Sequence, residues 1–241
     1  MSFCPSSRNW LTRRDLPRFP GDTLFERVAR VVCEAECLPR KELFESWAVA
    51  RRVRRRLHGG RVVDLAAGHA LTASLMLLID PRSDTALAID ERLPESAARL
   101  RDALAAAWPR LSGRVTLQEG SVDDVALSPS DVVVSVHACG ALTDRVLARA
   151  TEVRCGVAVL PCCHDQDTCD TGNLEGWLDV PAAIDATRAL TLRGAGYAVH
   201  TQHIPREITP KNRLLIGAPE ASPRVTDLLV RFEHVAHEAV R

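Results

Sequence analysis

From residue 61 onward the chain alternates short apolar, β-branched runs with longer stretches in which apolar residues recur every three or four positions. The runs Arg61–Ala66, Ala86–Asp90, Arg114–Gln118, Asp131–Val136, Gly156–Leu160, Tyr197–Ile204 and Arg213–Gly217 have the length and composition of strands. The periodic stretches near Leu71–Ile79, Leu93–Ala107, Leu142–Ala150 and Ala182–Leu192 predict helices, and Thr226–Val240 predicts a terminal one. Ahead of these, Thr23 to Leu57 is helical in pattern, with Pro39 dividing it and Leu43, Trp47, Ala50 and Leu57 on roughly one stripe of the second half. Alternation of this kind predicts an α/β fold, a doubly wound parallel sheet covered on both faces. The last two runs are joined by too short a loop for a crossover helix, so they should be antiparallel neighbours. The expected layout is six parallel strands with one antiparallel strand near the end, divided as 1–58, a tail and N-terminal helical extension, and 59–241, the main domain.

A length of 241 residues suits one α/β domain with a complete core. The first twenty residues lack an apolar signal-peptide core and the longest apolar run, near Ala73–Ile79, is too short to span a bilayer, so a soluble, cytoplasmic protein with no membrane partner is expected. In that compartment the eight cysteines are expected as thiols, ligands or catalytic groups rather than disulfides. Formal charge is zero but uneven: residues 1–60 carry thirteen Arg/Lys against seven Asp/Glu, and the remainder is acidic. Arg51, Arg52, Arg54, Arg55 and Arg56 crowd one helical segment, which could grip phosphates or simply be a solvated helix end favoured by the macrodipole. The only lysines are Lys41 and Lys211, in a chain that otherwise uses arginine.

In an open α/β sheet, ligands bind beyond the carboxyl ends of the strands. The first strand ends in Asp64-Leu65-Ala66-Ala67-Gly68-His69-Ala70, an acid followed by a turn of small residues that lets backbone approach a nucleotide-like ligand. The second ends at Asp90, where an acid can accept hydrogen bonds from both ribose hydroxyls, as also in NAD enzymes. The third ends in Glu119-Gly120-Ser121-Val122-Asp123. Strand layout and turn together resemble the class I methyltransferase fold, Rossmann-like, whose pattern Asp-x-Gly-x-Gly-x-Gly keeps only Gly68 as glycine here, Ala66 and Ala70 replacing the others. That resemblance implies S-adenosyl-L-methionine as cofactor, held by Asp64, Ala66, Gly68, Asp90, Ser121, Asp123 and His137, with Asp123 meeting the adenine amino group. The plainer alternative is that these acids terminate strands and cap helices.

The fourth strand runs into His137-Ala138-Cys139-Gly140-Ala141-Leu142-Thr143-Asp144, the fifth into Pro161-Cys162-Cys163-His164, and the last connection carries Lys211-Asn212. The pair His-x-Cys-Gly-x-x-Thr-Asp and Pro-Cys-Cys-His resembles the family that includes the eukaryotic tRNA 2′-O-methyltransferases of the acceptor stem and the methyltransferase-like-25 group. Pro39–Glu42 also resembles a lysine-bearing segment of the latter. The resemblance implies His137, Cys163 and His164 near the transferred methyl, and Lys41, Cys139, Cys162, Lys211 and Asn212 toward the acceptor. The acceptor is open among RNA, protein and small molecule, since the zinc modules of the tRNA enzymes have no counterpart in these spacings. Oligomeric state is open too. No metal is expected: Cys162, Cys163, His164 and Cys169 offer soft ligands, but adjacent cysteines on an extended chain point to opposite sides and no Cys-x-x-Cys occurs. Cys33 and Cys37, one helical turn apart, are expected as helix-face residues. The loop Asp165–Trp177 could be a lid over the acceptor or a solvated surface loop. Two other classes stay in view: a zinc-binding regulatory or binding protein on a degenerate methyltransferase fold, and an NAD oxidoreductase.

Overall fold

The computed structural model describes residues 3–220, so the predicted helix Thr226–Val240 lies outside the described residues. Two helices, α1 (Leu24–Ala35) and α2 (Arg40–Val53), precede the first strand. Then follow β1 (Val62–Leu65), α3 (Leu71–Ile79), β2 (Ala86–Asp90), α4 (Ser96–Ala107), β3 (Val115–Glu119), β4 (Val132–Ser135), α5 (Ala141–Val153), β5 (Gly156–Val159), α6 (Val180–Gly194), β6 (Tyr197–His203) and β7 (Arg213–Pro219). The strands form one sheet in the order β3-β2-β1-β4-β5-β7-β6. Neighbours pair in parallel from β3 to β5, while β7 is antiparallel to both β5 and β6, so six strands point one way and one is reversed, as the sequence predicts.

Strands β1, β4 and β5 are buried at every residue, which is why they read as unbroken apolar runs instead of alternating ones. Period-two geometry still sorts their side chains. Val62, Val132, Val134 and Ala158 pack with α1 to α4, whereas Val63, Leu65, Val133, Val157 and Val159 pack with α5 and α6. Both helices of the N-terminal extension thus share the buried cluster of α3 and α4 (Val28, Val32, Leu43, Val49 with Leu75, Leu100 and Leu104). Thr23 starts α1 by accepting the Glu26 N–H, and Asp179 starts α6 by accepting the Ala182 N–H. Among the described residues no helix is long and apolar enough to cross a membrane.

Because β1, β2, β4 and β5 run parallel, the loops that follow them open on one edge. The reversed strand β7 begins at that edge, bringing Lys211 and Asn212 to the ends of its neighbours. The order reverses direction between β1 and β4, and this switch point leaves a crevice where two crossovers diverge to opposite faces.

Candidate active site

At the switch point lies a cavity of about 450 Å³, walled by the turn after β1, Asp90, the Val136–Cys139 segment, and Glu42 and Ser46 of α2. The turn adopts left-handed backbone three times, with φ of 58° at Ala66, 52° at Gly68 and 57° at Ala70. Alanine therefore holds the conformation that the glycine pattern would supply freely. The Gly68 N–H donates to Asp90 Oδ2 at 2.9 Å and the Arg92 N–H to Oδ1 at 3.2 Å, so the acid ending β2 fixes the turn of β1. A Cβ built on Gly68 would meet nothing within 4 Å, since the turn faces open space there. Asp64 is buried and accepts the Ala73 N–H at 3.1 Å. Burial, with the Asp90 charge adding to it, pushes its carboxyl up to about 8.

Next to this cavity the loops after β4 and β5 meet. The Gly140 N–H donates to the Cys163 carbonyl at 3.3 Å, and this backbone bond brings three thiols together. Cys139 Sγ and Cys162 Sγ are 2.8 Å apart and Cys162 donates to Cys163 Sγ at 3.8 Å. Lys211 Nζ stands 4.0 Å from Cys163 Sγ. Hydrogen bonds from Cys139 and Cys162, with the ammonium charges of Lys211 and Lys41, hold the Cys163 thiol below its ordinary value against a modest burial effect. Burial pushes Cys139 and Cys162 up.

From α2, Lys41 Nζ pairs with the buried Glu45 Oε1 at 2.6 Å, and Glu45 Oε2 lies 3.8 Å from His137 Nε2 with no hydrogen-bond partner among the described residues. Burial raises Glu45 above the usual carboxylate range, although Lys41 draws it down. Burial and the Lys41 charge push His137 well below its ordinary value, leaving a neutral imidazole at neutral pH.

Asp64, Ala66, Gly68, Asp90, His137 and Cys139 thus converge on the cavity, with Lys41, Cys162, Cys163 and Lys211 alongside. Four expected residues stand elsewhere. Ser121 caps the turn after β3 by accepting the Asp123 N–H, and Asp123 is exposed and paired with Arg145, outside the cavity lining. His164 points away and binds Asp185 at 2.8 Å, in a network where Arg188 also grips Asp144 and the Gly140 carbonyl. Burial alone would raise Asp185, but hydrogen bonds from His164 and Arg213 outweigh it and hold it low. Asn212 spends its amide on the Ile204 carbonyl, closing the β6–β7 turn. Cys169 is buried against Arg188, apart from the other thiols. Nor do Cys162 and Cys163 point to opposite sides: Pro161–His164 has left the strand, and without pleating the two thiols lie side by side. Cys33 and Cys37 are buried, as helix-face residues would be.

Glu42, Glu45, Ser46 and His69 were not anticipated. Their signal was available in part, since Glu42, Glu45 and Ser46 share one face of α2 among residues that otherwise bury.

A family model described as a methyltransferase domain matches residues 43–168. Among solved structures, an O-methyltransferase family protein from Burkholderia thailandensis is 21% identical with a TM-score of 0.51, over 88% of this chain and 64% of that one. The S-adenosylmethionine-dependent methyltransferase SibL, in its apo form, is 20% identical with a TM-score of 0.50, over 86% of this chain and 65% of its own. This chain therefore spans just under two thirds of either structure. No curated protein matches its sequence. At such identities the two structures speak for the fold, while the family match takes in more than half of the sequence and both motifs up to Thr168. On that match, with the Rossmann-like sheet and its switch-point cavity, the chain belongs to the family of methyltransferase domains.

Proposed function

We propose that the protein is an S-adenosylmethionine-dependent methyltransferase that holds its cofactor in the switch-point cavity and takes its acceptor from the side of Cys139, Cys163 and Lys211. The observation that carries this reading is the cavity itself, where an acid from β1, an acid from β2 and a glycine turn open to space converge in a chain of this family. The residues fit an adenosyl group. Each Asp90 oxygen has lone-pair capacity for a ribose hydroxyl beyond the backbone N–H it already accepts. Val136, Leu142 and Pro94 supply apolar wall for an aromatic base. Bound there, S-adenosylmethionine supplies an electrophilic methyl group on a sulfonium. Neutral His137 can take a proton from the acceptor, and Glu45, 3.8 Å away, favours the imidazolium that results. Methyl transfer depends chiefly on alignment, which the hydrogen-bonded turn and the joined β4 and β5 loops provide.

The pairing of the His137–Asp144 and Pro161–His164 motifs supports a place beside the acceptor-stem tRNA 2′-O-methyltransferases and the methyltransferase-like-25 group. Exposed Arg54, Arg55 and Arg56 at the end of α2 add some support for an RNA acceptor. Calorimetric titration with adenosylhomocysteine tests the cofactor assignment. Binding is expected to wild type, and Asp90→Ala is expected to weaken it by about 1.5–3 kcal/mol for each hydrogen bond lost to charge. Asp90→Asn, which keeps an acceptor for the Gly68 N–H, should lose less. Absence of binding to wild type, or unchanged affinity in a folded Asp90→Ala protein, sinks the assignment.

A further inference from the structure

We infer that Cys139, Cys162 and Cys163 form a binding site for a soft divalent cation of the zinc type, with three thiolate ligands and an open fourth position beside the cofactor cavity. The three sulfurs all lie within 4.8 Å of one another. Two sulfurs each about 2.3 Å from a tetrahedral ion stand about 3.8 Å apart, which is the spacing of Cys162 and Cys163, 3.8 Å. Cys139 and Cys162, at 2.8 Å, need only to spread to admit the ion, and neither sulfur sits within a disulfide bond length. The sulfurs come from two loops tied by the Gly140–Cys163 backbone bond, so the set is assembled by the fold rather than by local sequence.

Charge points the same way. Three thiolates around a divalent ion leave a net negative site, and Lys211, one of only two lysines in the chain, stands with its Nζ 4.0 Å from Cys163 Sγ. Each ligating thiol releases its proton to solvent, so binding is pH-dependent. Cys139 and Cys163 are exposed and, among the described residues, no fourth side-chain ligand joins the set, the pattern of a site that keeps a position for water or a substrate atom. Since Cys139 also lines the cofactor cavity, an acceptor heteroatom coordinated there would be deprotonated and held next to the reacting centre. The binding itself does not depend on the methyltransferase reading.

The test uses the full-length protein, reduced, freed of metal and kept anaerobic, titrated with Co²⁺ and then Zn²⁺. One Co²⁺ per chain is expected, with sulfur-to-metal charge-transfer absorption and the intense visible bands of a four-coordinate ion, all displaced by one equivalent of Zn²⁺. Cys139→Ser, Cys162→Ser and Cys163→Ser should each weaken Zn²⁺ binding by more than about 100-fold, beyond the loss typical of outer-sphere partners, while Cys155→Ser leaves it unchanged. In wild type alone, Zn²⁺ should protect Cys139 and Cys163 from alkylation, read by mass spectrometry, so the proposal stays testable even where a variant fails to fold. No stoichiometric uptake, uptake without charge-transfer absorption, or alkylation of both cysteines unchanged by Zn²⁺ overturns it. Isolation with Cys139 and Cys162 joined, and no uptake after full reduction, overturns it in favour of a redox pair. Adenosylhomocysteine titration on the same samples reports separately on the cofactor site.

Discussion

Ala66 and Ala70 occupy left-handed backbone, at φ 58° and 57°, where a side chain is strained. That conformation costs an L-residue about 1–2 kcal/mol, and glycine gives back part of it through its greater freedom when unfolded. Ala66→Gly and Ala70→Gly are therefore each expected to raise stability by about 0.5–1 kcal/mol, seen as a higher urea midpoint at unchanged slope. A lower midpoint would mean that the methyl groups contribute packing that outweighs the strain. Asp64 makes a second prediction. Its folded pKa is raised to about 8, so the folded chain keeps a proton that the unfolded chain releases near pH 4. Between about pH 4 and about pH 8 a rise in pH therefore favours unfolding. Without cofactor, the melting temperature of wild type should fall more between those limits than that of Asp64→Asn; equal slopes would show a carboxylate ionised throughout.

At the scale of elements, the loop after β5 is held from beneath by His164, whose bond to Asp185 anchors it to α6. His164→Ala is expected to lower stability by about 1.5–3 kcal/mol, the worth of a hydrogen bond to charge, while adenosylhomocysteine affinity stays near wild type. Lost turnover at an unchanged melting temperature would instead put the imidazole at the reacting centre. The contrast with His137 shows what was legible in the sequence. Asp64, Gly68, Asp90, His137 and Cys139 end or follow strands, and a parallel sheet sends every such residue to one edge, so the elements alone place them. The direction of His164, Cys169 and Asn212 is decided by Asp185, Arg188 and Ile204, partners that no local pattern reveals. Likewise Glu42 and Glu45 become site residues only through the way α2 docks, which periodicity leaves undetermined.

For the molecule as a whole, the predicted layout of six parallel strands and one reversed follows from the alternation of strands with helices and from the short loop between the last two strands. What those rules do not foresee is that the helices before residue 58 would supply a wall of the cavity through Glu42 and Ser46, and the ammonium of Lys41 beside it. During synthesis β6 leaves the ribosome before β7, yet its only pairing partner among the described residues is β7, which inserts between it and β5. Until Arg213–Pro219 has been made, β5 presents a bare apolar edge and β6 has nowhere native to go, a window open to misassembly and to chaperones. Lys211 is made just ahead of β7, so the nascent chain gains the lysine of its thiol pocket together with the strand that joins β6 to β5.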